Sequence, residues 1–210
     1  MPTHDTKTDF KALYGLPSNK VVTVDVPPMQ FLMLDGMGNP NTSPEYQDVL
    51  QALYSVSYTL KFMLKKSGDD FKVGPLEGLW WADDMDAFLT ADKDVWQWTM
   101  MIMQPPQVTD DLVRRAVEQA ATKKPLPSLK KMRFESFHEG LCAQVMYVGP
   151  YAEEGPTIQR LHAYIHDNGY QRRGKHHEIY LGDPRRAAPE KLKTVIRQPL
   201  ERAPVAQPVV

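Results

Sequence analysis

The amino-acid sequence predicts an α+β fold: a tandem, pseudo-two-fold repeat of a strand-pair/helix/strand-pair module with antiparallel sheets. Three observations predict it. The order of apolar periodicities, strand-like, then helical, then strand-like, occurs twice along the chain. The helix of each module ends at a glycine, Gly68 and Gly169, and nine residues beyond each lies a glutamate, Glu77 and Glu178. Each half closes its last strand with Gln-Pro, at Gln104-Pro105 and Gln198-Pro199. One domain is expected over residues 1–210: a first module at about 20–105, a connecting helix and linker at about 108–128, a second module at about 129–200, and a flexible tail at 201–210.

The elements follow in order. Residues 1–12 are polar and read as a loose terminus. Val21–Val26 and Met29–Asp35 are β segments separated at Pro27-Pro28, because proline donates nothing to a ladder. After the turn cluster at Gly36–Pro40, Ser43 caps a helix with Pro44 at its first position. Tyr46, Val49, Leu50, Leu53, Leu60 and Leu64 recur at helical spacing until Ser67-Gly68. Strands are predicted at Val73–Trp81 and Val95–Gln104, the second with the alternation of a half-buried strand. Thr109–Thr122 reads as an amphipathic helix, followed by a Lys/Pro linker. The second module is predicted as a hairpin, Lys131–Phe137 with Leu141–Val148, then a helix at Glu153–Asp167 and strands at His176–Gly182 and Lys193–Gln198.

Composition narrows the function. A chain of 210 residues buries roughly 70% of its unfolded surface, enough to fold without disulfide or metal. Lys+Arg number 25 against 26 Asp+Glu, so the basic excess of a nucleic-acid binder is missing. The single cysteine, Cys142, excludes an internal disulfide and a four-thiolate zinc site. There is no apolar run behind the first residues and none of membrane-spanning length, so a cytoplasmic protein with no membrane partner is expected. His162 and His166 stand four apart on a predicted helix, but no acidic third ligand completes the pattern, and no metal or cofactor is expected. Gly-rich phosphate loops and Ser nucleophile elbows are absent.

What remains is a polar insertion among aromatics. On a strand, His176, Glu178 and Tyr180 share one face. A buried Glu178 is either raised in pKa and held protonated as a general acid, or kept charged against a lipophilic cation. The plainer alternative is an exposed carboxylate on an edge strand. Trp80 and Trp81 are adjacent, so they point to opposite faces and both faces meet apolar material. Together with Trp96, Trp98, Tyr147, Tyr151 and Tyr180 they can build an aromatic cage, the alternative being ordinary core packing, which is favoured for Trp96 and Trp98.

The stretch Asp70–Trp81 (DFKVGPLEGLWW) resembles the signature strand of the stand-alone subgroup of GyrI-like small-molecule-binding proteins. Lys175–Arg186 (KHHEIYLGDPRR) resembles its second signature, and Lys191–Pro199 its closing strand. The resemblance spans about Lys20 to Pro199. It implies two modules with a ligand cleft between them, walled by aromatics and carrying a carboxylate, which takes bulky, flat, often cationic lipophiles. The acidic position matches Glu178 and the neighbouring phenol Tyr180, with Trp80 or Trp81 and Tyr147 in the wall. Part of the subgroup hydrolyses strained cyclopropane rings in DNA-alkylating natural products such as yatakemycin. On this resemblance Glu178 and Tyr180 are the candidate catalytic pair, and the alternative is a multidrug-binding sensor or sequestration protein without turnover. The partner implied is a small lipophilic molecule. Since the duplication already supplies internal symmetry, a monomer is expected.

Overall fold

The computed structural model describes residues 4–18, 20–83 and 93–204. In the first module, β2 (Val22–Val26) and β3 (Met29–Met37) precede helix α3 (Pro44–Lys66), and β5 (Leu76–Trp81) and β6 (Gln97–Gln104) follow it. The Ser43 hydroxyl accepts from the Tyr46 amide at 3.3 Å and Pro44 opens the first turn, as expected of a capped helix start. Helix α4 (Asp110–Lys123) connects the modules. The second repeats the order with β7 (Arg133–Phe137), β8 (Gly140–Val148), α5 (Gly155–Asp167), β9 (Tyr170–Arg172), β10 (His176–Tyr180) and β11 (Lys193–Arg202).

The strands do not pair as the sequence suggested. The predicted hairpin between residues 131–137 and 141–148 does not form: β7 pairs with β3 of the first module, and β8 pairs with β2. The two leading strands are therefore exchanged between modules. The path through the nine-stranded, curled antiparallel sheet is β2-β8-β11-β10-β5-β6-β3-β7, with β9 pairing beside it on β11. This order is a palindrome under the repeat, with β10 and β5 meeting at its centre. Local alternation marks a strand but carries no information on its partner, so a tight turn and a crossover look alike in sequence.

The three long helices, α3, α4 and α5, lie on one face. There α3 and α4 cover Leu32, Leu34, Trp98, Met100 and Ile102, while α5 covers Ala143, Val145 and Ile196. Residues on β6 are buried on both faces, so its sequence alternates in chemistry but not in burial. Part of the opposite face is covered by the N-terminal segment. Residues 4–14 are not a loose terminus: β1 (His4–Asp5) pairs with β4 (Phe71–Lys72), and the short helices α1 (Thr6–Asp9) and α2 (Lys11–Tyr14) follow, the second burying Leu13 and Tyr14. At the other end Glu201 and Arg202 continue β11 against β9 instead of starting the flexible tail, whose last residues, 205–210, lie outside the described ones.

A charged cluster is buried beneath α2. Arg197 Nη1 donates to Glu139 Oε2 at 2.8 Å, Arg197 Nε to Gln144 Oε1 at 2.9 Å, and Arg197 Nη2 to the Leu13 carbonyl at 3.2 Å. His177 lies between two carboxylates, 3.0 Å from Glu139 and 3.0 Å from Glu77, and Tyr14 donates to Glu77 at 2.8 Å. The His177–Glu77 contact is an ion pair whose N–H axis misses the oxygen. Burial opposes every charge here, but Glu139 outweighs it for His177, whose pKa is raised. His177 and Arg197 in turn outweigh burial for Glu139, which is held at about 2. No helix among the described residues is long and apolar enough to cross a membrane.

Candidate functional site

The central strands put Glu178 in the middle of the helix-bearing face. Glu178 on β10 stands opposite Gly78 on β5, His176 opposite Trp80, and Tyr180 opposite Leu76. Paired residues in an antiparallel ladder share a face, so Trp80 joins Glu178, His176 and Tyr180, while Trp81 turns to the other side. Glu77 also lies on that other side, with Tyr14 and His177. A two-fold normal to the sheet keeps each residue on its own face, so Glu77 is not the symmetry mate of Glu178, and the matched nine-residue spacing is a coincidence of counting.

Gly78 leaves room for the tryptophan. A Cβ there would stand 2.7 Å from Trp80 Nε1 and 3.2 Å from Met100 Sδ, so the indole folds across the bare backbone beside Glu178. Trp80 Nε1 donates to the Tyr180 hydroxyl at 3.0 Å, and that hydroxyl donates to Glu178 Oε2 at 2.7 Å. His176 Nε2 lies 3.2 Å from the other oxygen, Glu178 Oε1. Three further aromatics meet this chain of contacts. Trp96 meets Trp80 edge-on at 5.8 Å, Tyr46 of α3 lies 6.2 Å from Trp80, and Tyr151, ahead of α5, meets Tyr180 edge-on at 5.5 Å. Trp98 packs edge-on against Tyr46 at 5.1 Å and is fully buried in the core.

A second carboxylate completes the site. Glu154, the residue that caps α5, is buried and shares a hydrogen bond with Glu178. Burial, then the charge and hydrogen bond of Glu178, push Glu154 up to about 10. Burial also pushes Glu178 upward, but the hydrogen bond and charge of His176, with the Tyr180 and Glu154 donors, outweigh it and hold Glu178 below the usual carboxylate range. The pair titrates as one unit in which Glu154 is pushed toward the protonated form and Glu178 toward the ionised one. The second oxygen of Glu154, Oε2, is buried and has no hydrogen-bond partner. Burial and the carboxylates also raise the phenols: Tyr180 well above its ordinary value, Tyr151 to about 12.

The residues singled out in the sequence therefore separate. Glu178, Tyr180 and Trp80 come together. Trp81 lies on the far face under Lys175, whose Nζ is 3.2 Å from the ring centroid. Tyr147 stands two strands from β10 on the helix-bearing face, in register with Thr194 and through it with Tyr180. Its hydroxyl donates to the Pro150 carbonyl at 2.9 Å, so it braces the turn that delivers Tyr151 and Glu154. Cys142 is buried in the far core, its thiol pushed up to about 12 by burial. Among the described residues no three His, Cys, Asp or Glu side chains gather as a metal would require. Glu154 was not identified from sequence. The one local signal is its position before Gly155-Pro156, where a helix start ordinarily takes Ser, Thr, Asp or Asn as cap.

The sequence matches the profile of the GyrI-like small molecule binding domain over residues 19–201. The crystal structure of an uncharacterized conserved protein from Listeria innocua is 39% identical, covering 95% of this chain and 100% of that one, with a TM-score of 0.86. A crystal structure described as a hydrolase from Listeria innocua has the same identity and coverage, with a TM-score of 0.82. The C-terminal domain of EcmrR, 12% identical over 88% of this chain and 98% of its own, has a TM-score of 0.53 and shares the fold alone. No functionally curated protein is similar in sequence.

Proposed function

Because this chain belongs to the GyrI-like small-molecule-binding family, we propose that its Glu178 site takes bulky, planar, lipophilic molecules and hydrolyses those carrying a strained cyclopropane. The observation that carries this reading is the pair of adjoining carboxyl groups, Glu178 and the buried Glu154, beside an aromatic wall, with Glu154 pushed up to about 10 and Glu178 held below the usual carboxylate range. Two carboxyl groups whose environments drive their pKa values apart supply a base and an acid at one pH. The tryptophan-containing signature resembles that of cyclopropane hydrolases, and the Listeria relative described as a hydrolase supports catalysis.

The chemistry follows from those roles. Tyr46, Trp80, Trp96 and Tyr151 orient a flat substrate by ring contact. Glu178 accepts a proton from a water as its oxygen attacks the cyclopropane methylene. The strained carbon–carbon bond breaks, its electron pair moves into the conjugated ring, and the substrate's carbonyl oxygen becomes a phenolate that takes the proton of Glu154. Water has been added across the strained bond with no leaving group. Tyr180 holds Glu178 by one oxygen and Trp80 by its N–H, so it positions both base and wall.

A second reading rests on the same charge. A carboxylate held ionised beside tyrosine and tryptophan faces suits a lipophilic cation that is bound and released unchanged. The two are separated by incubating the protein with a cyclopropane-containing alkylator and following ring-opened product by mass spectrometry, while a fluorescent lipophilic cation is titrated in parallel. Multiple turnover that Glu178→Gln and Glu154→Gln each lower at least a hundredfold supports hydrolysis. Cation binding weakened by Glu178→Gln, with no turnover in the wild type, supports the binder. Turnover and affinity unchanged in Glu178→Gln would sink both.

A further inference from the structure

The far face of the sheet carries a concavity that the reading above does not use. It is a cleft of about 530 Å³, within the size range of small-molecule sites, lined among others by Trp81, Phe137, Arg173 and Lys175, with the Lys175 ammonium resting on the Trp81 ring. Trp81 and Lys175 are there because of strand parity. The pairing of His176 with Trp80 places the next residues outward, Lys175 and Trp81, side by side on the opposite face. The Glu178 site and this cleft are thus built from adjacent residues of the same two strands.

The charges in the cleft are unevenly compensated. Arg133 faces two carboxylates: its Nη2 donates to both oxygens of Asp35 at 2.7 and 2.8 Å, and its Nη1 to Glu135 at 2.5 Å. The Glu139 carboxylate is turned inward to Arg197 and His177 and is spent there. Arg173 donates to the Glu139 backbone carbonyl and meets no carboxylate among the described residues. Lys175 likewise lacks a carboxylate partner among them and rests on the Trp81 ring. It is half-buried, and burial lowers its pKa, opposed by Asp35 and reinforced by Arg133. Among the described residues, these two cations, beside an apolar floor of Met33, Leu79 and Phe137, form no ion pair, and Asp35 of the same cleft acts on Lys175 only from a distance.

We propose that this cleft binds a small aromatic anion, a carboxylate or sulfonate, with its ring on the Phe137 side and its charge between Lys175 and Arg173. The two faces of the sheet then select opposite charges: Glu178 favours neutral or cationic lipophiles, and the far cleft favours organic anions. A charge-assisted contact to an ammonium gives such a ligand its orientation, and removing that contact weakens it about tenfold.

The probe is 2-naphthoate, with 2-naphthalenemethanol as its neutral counterpart, followed through the indole N–H resonances of the ¹⁵N-labelled protein. Trp81 is assigned with Trp81→Phe, and folding of each variant is checked by circular dichroism. Saturable shifts of Trp81, about tenfold tighter binding of the acid than of the alcohol, about tenfold loss in Lys175→Gln and recovery in Lys175→Arg are expected. Arg173→Gln provides a second, independent loss. Shifts centred on Trp80, equal binding of acid and alcohol, no saturation below millimolar ligand, or an affinity indifferent to Lys175→Gln would each overturn the proposal.

Discussion

Consider the replacement of Glu154 by glutamine, which keeps a hydrogen-bond donor for Glu178 and removes only the ability to ionise. In the native protein Glu154 is pushed from an ordinary 4.5 up to about 10 by burial and by Glu178. A group whose native pKa is raised contributes its full stability below 4.5 and loses it progressively as pH rises toward 10, because the unfolded chain ionises while the fold does not. Each pH unit in that window costs about 1.4 kcal/mol, so at pH 7 the wild type has lost about 3 kcal/mol through this group. Glu154→Gln has no such loss. Urea unfolding of both proteins from pH 5 to pH 9 should show the variant gaining on the wild type, by less than about 1 kcal/mol at pH 5 and by several at pH 9. The same variant should lose turnover if Glu154 is the proton donor, so stability and activity move in opposite directions. Parallel stability curves across that range would refute the reasoning, since they would mean that Glu154 carries no retained proton.

Two other variants probe the scaffold that holds the site. A Cβ at Gly36 would sit 2.1 Å from the Trp98 ring, which is fully buried against Tyr46, so Gly36→Ala should cost about 1–3 kcal/mol or more by urea unfolding and alter tryptophan emission. Glu139→Gln leaves Arg197 buried without its carboxylate partner and His177 with Glu77 alone, and should destabilise the protein by about 3–5 kcal/mol at pH 7. Because Glu139 is lowered to about 2, its contribution is present above 4.5 and fades as pH falls through 2, so the gap to wild type should close over that acid window.

Sequence alone determined what depends on neighbours within a turn or along a strand. The capped start of α3 at Ser43-Pro44, its apolar stripe and the duplication of the module were all legible, because helical and strand periodicities are local properties. The shared face of His176, Glu178 and Tyr180 was legible for the same reason. Alternation fixes which residues lie on the same side of a strand, but not which side meets the helices. With both faces of β5 buried, nothing in Leu79-Trp80-Trp81 could say which indole joins Glu178. That choice was made by pairing with β10 and by the bare backbone at Gly78, both tertiary facts. The exchange of β2 and β7 between modules was equally invisible, since a strand's hydrogen bonds to a distant partner leave no trace in its own pattern. The same holds for the N-terminal plug, whose polar residues hide Leu13 and Tyr14 until the buried cluster of Arg197 and Glu77 gives them partners. Glu154 is the clearest case. Twenty-four residues from Glu178 in the chain, it is pushed up to about 10 only because α5 is docked so that its cap is pressed, buried, against the other carboxylate. Proton affinity in a protein is set by burial and by the nearest charge, and only the folded chain decides either.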